Sequence, residues 1–212
     1  YRFAAAMLIP EQTMRQVTAT NDAEYSPIIR GNDLYFIRRV EETKYQELWK
    51  YDGHELHKVL PEVNVAYYTP VSSDRLIVAF IENNQMNLYD INVKSSQKRK
   101  IIDNCGRSMT LGDNGELYFV HKYNPENWYI KSYNLDTGHI KTVCKTIPES
   151  EDFFLEKDKF IWMAKDQRIY KTTIQEGIST SWDIIFNLED FPLNNIGRLY
   201  VIGDNKLIFI NQ

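Results

Sequence analysis

Leu34-Tyr35-Phe36-Ile37 is a run of four apolar residues behind a polar turn, Gly31-Asn32-Asp33, and the pair recurs along the chain. Leu76-Ile77-Val78-Ala79 follows Ser73-Asp74-Arg75, and Leu117-Tyr118-Phe119-Val120 follows Asp113-Asn114-Gly115. Phe160-Ile161-Trp162-Met163 follows Lys157-Asp158-Lys159, and Leu207-Ile208-Phe209-Ile210 follows Gly203-Asp204-Asn205. The runs begin at 34, 76, 117, 160 and 207, a period of roughly 42 residues. Gly, Asn and Asp tolerate the positive φ of tight hairpins, so each pair reads as a turn feeding a β-strand.

Outward from these runs the rest of the sequence repeats as well. A strand precedes each turn, at residues 25–29, 66–71, 107–111, 152–155 and 198–202. A third follows at Leu48-Trp49-Lys50-Tyr51, Met86-Asn87-Leu88-Tyr89, Ile130-Lys131-Ser132-Tyr133 and Ile169-Tyr170-Lys171-Thr172. Beyond a second turn, clearest at Asp52-Gly53 and Asp136-Thr137-Gly138, comes a more polar fourth strand at 56–60, 99–102, 140–143 and 182–186. Four antiparallel strands in about 40 residues describe one blade of a β-propeller. A β-sandwich also uses short strands, but nothing in its architecture repeats at this period. Residues 43–49 fit a hairpin loop as well as a helix.

The expected fold is therefore all-β, a single propeller domain over residues 1–212. Its blades would lie at about 22–60, 61–103, 104–146 and 147–190, with a composite blade from 191–212 and 1–21. In that last blade residues 3–9 supply a third strand and Met14-Arg15-Gln16-Val17-Thr18 a fourth. Pairing of 3–9 with 207–210 would close a ring of five blades and remove its open edges. The chain begins on Tyr1, as a mature form or fragment would, and residues upstream would make room for a sixth blade.

Composition narrows the function. The 212 residues are 43% hydrophobic, with 14 Tyr, 10 Phe and 4 Trp against 9 Gly, enough to build a sizeable core from strands. A net charge of −4 lacks the basic excess behind phosphate attraction, which excludes nucleic acid as a partner. The longest apolar run, residues 3–9, is too short for a membrane span of about 20 residues. It also lacks the basic flank of a signal peptide. Cys105 and Cys144 read as two separate thiols, one near the inner edge of a blade and one on an outer strand.

Propellers bind ligands where the loops entering their innermost strands converge. Those entries carry Glu24, Tyr25, Tyr67, Tyr68, Arg107, Glu151, Asp152 and Arg198. Arg pairs carboxylates bidentately and Tyr offers a flat face with a polar tip, which suits a peptide terminus, a protein loop or a small sugar. The same charges could equally neutralise one another and hold blades in register. A glycosidase needs two carboxylates about 5–9 Å apart. Glu24 with Glu151 or Asp152 would supply them, but nothing local selects that role. No G-x-S-x-G segment marks a hydrolase and no Gly-rich loop cradles phosphate, so neither a catalytic residue nor a cofactor is assigned.

The four histidines, His54, His57, His121 and His139, are placed on outer strands and loops. His54 and His57 face each other across a turn without a third ligand, so no metal is expected. The basic stretch 94–100 reads as a charged edge that blocks strand pairing. Lys122-Tyr123-Asn124-Pro125-Glu126-Asn127-Trp128-Tyr129 reads as a hairpin connection that offers Trp128 and Tyr129 as surface anchors. Trp128 could equally pack against the neighbouring blade.

Four segments carry a resemblance. Glu24-Tyr25-Ser26-Pro27, Asn104-Cys105-Gly106-Arg107-Ser108, Ile147-Pro148-Glu149-Ser150-Glu151-Asp152 and Asn195-Ile196-Gly197-Arg198-Leu199 resemble TolB-like (WD40-like, PD40-type) propellers of the Bacteroidetes type. The similarity runs through almost the whole chain. It implies a six-bladed, non-catalytic protein, periplasmic or secreted, that serves as a protein- or peptide-binding scaffold without a cofactor. A carbohydrate-binding or glycoside-hydrolysing propeller is the second reading. The sequence departs from the pattern in showing five blades. The Ser-Pro-Asp-Gly turn of that group survives only in Tyr25-Ser26-Pro27 and Asp113-Asn114-Gly115.

Overall fold

The structure, a computed structural model, describes residues 16–61, 63–175, 177–178, 181–202 and 206–211. It divides into two compact units, Tyr1–Ile101 and Ile102–Gln212. Every regular element among the described residues is a strand.

The first unit carries two four-stranded antiparallel sheets. One runs β1 (Ala23–Arg30), β2 (Asp33–Arg39), β3 (Gln46–Tyr51) and β4 (Leu56–Lys58) in that order. The other runs β5 (Val65–Pro70), β6 (Arg75–Glu82), β7 (Gln85–Asn92) and β8 (Gln97–Ile102), whose last residue opens the second unit. Tyr35, Ile37 and Leu48 of the first sheet meet Tyr68, Leu76, Val78 and Phe80 of the second in one buried cluster. Asn83 and Asn84, at φ 50° and 62°, turn β6 into β7 with the I′ geometry that suits the twist of the strands.

The second unit holds two more such sheets and a two-stranded one. The strands are β9 (Cys105–Leu111), β10 (Glu116–Asn124), β11 (Asn127–Asn134) and β12 (Ile140–Lys145), then β13 (Phe153–Glu156), β14 (Phe160–Lys165), β15 (Arg168–Thr173) and β16 (Asp183–Asn187). The pair β17 (Ile196–Ile202) and β18 (Lys206–Asn211) follows. β14 explains why the repeating run is apolar throughout rather than alternating. Ile161 and Met163 enter a cluster shared with β10–β13, while Trp162 and Ala164 enter a second cluster with Ile196 and Leu199. A strand covered on both faces has no polar face to show.

Four four-stranded antiparallel sheets follow one another in chain order, while β17 and β18 form a two-stranded sheet among the described residues; residues 43–45 form the turn and loop that lead into β3 and residues 46–49 belong to β3 itself. Residues 3–9 lie outside the described residues. Of residues 14–18 only 16–18 are described: Gln16 makes an isolated bridge, Val17 and Thr18 form no strand, and the Thr18 hydroxyl donates to Glu24.

Three readings need correction. Asn124 pairs with Asn127, so Pro125 and Glu126 alone make the turn and Trp128 and Tyr129 lie on β11 rather than in a loop. His121 sits buried on β10, not on an outer strand. The fourth strand is not always polar: Ile184, Ile185 and Phe186 of β16 are all exposed.

One irregularity is shared by most of the sheets. The first strand bulges between Tyr25 and Ile28, between Val65 and Tyr67, between Cys105 and Met109, and between Ile196 and Leu199. Extra residues opposite one partner residue bend the strand and re-aim side chains. Gly106-Arg107-Ser108 and Gly197-Arg198 are the bulged residues of their strands.

Candidate functional site

The bulge in β9 opens the hydrogen-bond ladder at Arg107 and frees its N–H. That N–H donates to Glu151 Oε2 at 3.0 Å. The guanidinium takes Asp152 in a fork, Nε to Oδ1 at 3.0 Å and Nη2 to Oδ2. Lys122 of β10 lies 2.9 Å from Glu151 Oε2 and its ammonium rests 4.5 Å from the centre of the Trp128 ring. Arg198, on the bulge of β17, brings Nε to 3.9 Å from Asp152 Oδ1. Gly106 makes this closeness possible: a Cβ there would lie 2.8 Å from both Glu151 Oε2 and the Val120 Cβ.

Four of the expected residues thus come together in one cluster: Arg107, Glu151, Asp152 and Arg198. Lys122 is the member that sequence reasoning missed. Its signal was its place two residues beyond the apolar run of β10, opposite Trp128 in the ladder. The side chains of Glu151 and Asp152 are 17% and 13% exposed, while Arg198 is 55% exposed. Three cations face two carboxylates, so the cluster carries one surplus positive charge, and the exposed Arg198 is where it reaches solvent. Both carboxylates accept charge-assisted bonds from cations, so each is committed to a partner within the cluster.

Glu24, Tyr25, Tyr67 and Tyr68 lie in the first unit. Glu24 is buried: Arg38 Nε and Nη2 bond its Oε1 at 3.1 and 3.0 Å, Thr18 donates to Oε2, and Thr20 donates to Oε1 at 3.3 Å. The Arg38 guanidinium lies 4.3 Å from the Trp49 ring centre and 5.5 Å from that of Phe36. Tyr68 belongs to the core, and its hydroxyl donates to the Ser26 carbonyl at 2.6 Å across 42 residues of sequence, one repeat. Burial pushes the Tyr68 hydroxyl well above the ordinary tyrosine range. Tyr25 is exposed and Tyr67 half-buried.

Trp128 and Tyr129 are half-buried, and Trp128 packs against the cluster between the β9–β12 and β13–β16 sheets. His57 Nε2 pairs with Asp52 Oδ2 at 3.0 Å, while Asp52 Oδ1 accepts the backbone N–H of His54. Among the described residues no group of three His, Cys, Asp or Glu side chains could hold a metal ion. Cys105 and Cys144 are buried free thiols, each pushed up to about 12 by burial.

The arrangement of these sheets is similar to that of TolB and other β-propeller proteins, so the fold is a TolB-like β-propeller. TolB from Acinetobacter baumannii superposes with a TM-score of 0.62 at 14% identity, over 83% of this chain and 46% of that one. The chain therefore spans less than half the length of that TolB. The β-propeller domain of the trilobed protease from Pyrococcus furiosus gives 0.55 at 10% identity, over 79% and 58%. A chain of a nidogen/laminin complex gives 0.64 at 12% identity, over 97% and 80%. At these identities the likeness establishes the fold. No protein-family model matches the chain, and neither does any curated protein sequence. Among the described residues no helix is long and apolar enough to cross a membrane.

Proposed function

We propose that this chain is a non-catalytic propeller module, periplasmic or secreted, that binds a protein or peptide through the Arg107–Arg198 cluster. One observation carries the reading: Glu151 and Asp152 are engaged by Arg107 and Lys122, and the charge left over is the exposed Arg198. A surplus guanidinium beside neutralised carboxylates suits an acidic side chain or a peptide carboxylate, which it can take bidentately. The second reading, binding or hydrolysis of a glycan, would want an unpaired carboxylate, and the cluster offers none to a sugar.

The test is an array of acidic peptides and glycans probed with the full chain. Acidic peptides bind, and Arg198→Ala weakens them about tenfold, the cost of roughly one charge-assisted bond. Glycan binding or glycoside hydrolysis, or peptide binding untouched by Arg198→Ala, overturns the proposal.

We also propose five blades, the last made of β17, β18 and residues 1–21. Ile208 and Ile210 of β18 stand more than half exposed, which supports the need for a further strand. Removal of residues 1–21 would then speed hydrogen exchange in Lys206–Asn211; unchanged exchange there would count against closure of this kind.

A further inference from the structure

The first unit contains a cavity of about 280 Å³ remote in sequence from the bulged strands' charged residues. Tyr45 enters it from the β2–β3 connection, Asn64 from the segment between the sheets, Phe80 and Glu82 from β6, Tyr89 from β7 and Lys98 from β8. Its apolar wall is the Phe80–Tyr89 pair, with ring centres 5.3 Å apart at 46°.

Its two charged residues are Glu82 and Lys98. Glu82 receives Asn87 Nδ2 and the Tyr89 hydroxyl, both at 2.8 Å and both on Oε2, which leaves Oε1 to a ligand. Those two bonds, from Asn87 first, hold the carboxyl below its ordinary range, so it stays ionised. Lys98 rests its ammonium 5.3 Å from the Phe80 ring centre. Its neighbours Lys94 and Arg99 are paired with Asp74 and Asp90, whereas Lys98 forms no ion pair among the described residues.

We propose that this cavity binds a zwitterionic α-amino acid with an apolar or aromatic side chain, its ammonium on Glu82, its carboxylate on Lys98 and its side chain on Phe80 and Tyr89. Three features select this class. The volume of about 280 Å³ lies just below the roughly 300–1,000 Å³ of drug-sized ligand pockets, on the scale of a single amino acid. One oriented carboxylate and one uncommitted ammonium match opposite charges on a single small body. A neutral sugar would bury both charges without a counter-charge, which is costly. A nucleotide would meet a carboxylate and a single cation.

Calorimetric titration of the full chain tests this with L-phenylalanine, N-acetyl-L-phenylalanine, which lacks the ammonium, and L-phenylalaninamide, which lacks the carboxylate. L-Phenylalanine binds one site, and each blocked derivative binds at least about tenfold more weakly. Lys98→Met weakens L-phenylalanine by a similar factor but leaves the amide unchanged, and Glu82→Gln does the same for the N-acetyl derivative. Lys98 lies on the surface, so the Lys98→Met arm stands even if Glu82→Gln disturbs folding. Absence of binding by L-phenylalanine, equal binding of all three compounds, or displacement by a methyl glycoside overturns the assignment. The acidic-peptide test at Arg198 is independent of this outcome.

Discussion

At the scale of single residues the molecule spends its buried charge on pairs. Glu24 and Arg38 are each about nine-tenths buried and joined through two bonds on one oxygen. Removing one partner strands the other charge in a dry site, which costs about 3–5 kcal/mol. Urea unfolding of Arg38→Met should show a loss of that order, and the double variant Glu24→Gln/Arg38→Met should recover part of it. Losses that simply add would mean the pair is not coupled.

His121 gives a pH dependence. Burial lowers its pKa below the ordinary value, Lys131 adds to that, and Asp103 opposes it. The fold therefore favours the neutral ring, and protonation favours the unfolded chain. Stability from His121 is fully present above about pH 6.5 and is lost as pH falls through that value toward the lower folded one. His121→Gln should flatten the fall in melting temperature between about pH 7 and pH 5.

At the scale of elements, the doubly covered second strands are what made the sequence legible. Burial on both faces leaves an uninterrupted apolar run, and the hairpin turn ahead of it is marked by residues that accept positive φ, such as Gly31, Gly115, Lys157 and Asp158. The bulges were not legible. Strand parity assigns faces by counting in twos, and a bulge inserts a residue that breaks the count. The sequence reading assigns both Tyr67 and Tyr68 to the channel, although neighbours on a strand face opposite ways, and Tyr68 lies in the core. Trp128 was misplaced because Asn124-Pro125-Glu126-Asn127 reads as a long loop but closes in two residues.

Gly106 is the element-scale test of the bulge. Gly106→Ala places a methyl 2.8 Å from the Glu151 carboxylate and the Val120 side chain. Overpacking of this kind costs about 1–3 kcal/mol. The loss should be smaller in a Glu151→Ala background, where one of the two obstacles is gone; an equal loss in both backgrounds would place the strain elsewhere.

At the scale of the whole chain, each complete sheet is made of four consecutive strands, and no strand within it is borrowed from elsewhere in the sequence. This has a consequence for synthesis. Translation delivers about 5–20 residues per second, so a repeat takes seconds to emerge, while a hairpin closes in about 1–10 μs. Each sheet has its full complement of strands long before the next repeat exists, and folding can keep pace with the ribosome in four instalments. Arrest-peptide profiling of nascent chains should show successive pulling peaks separated by roughly 40 residues; a single peak at full length would mean that the repeats wait for one another. β17 and β18 are the exception, a two-stranded sheet among the described residues, and under the five-blade reading the strands that complete it come from residues 1–21, translated well ahead of it and kept waiting until it emerges.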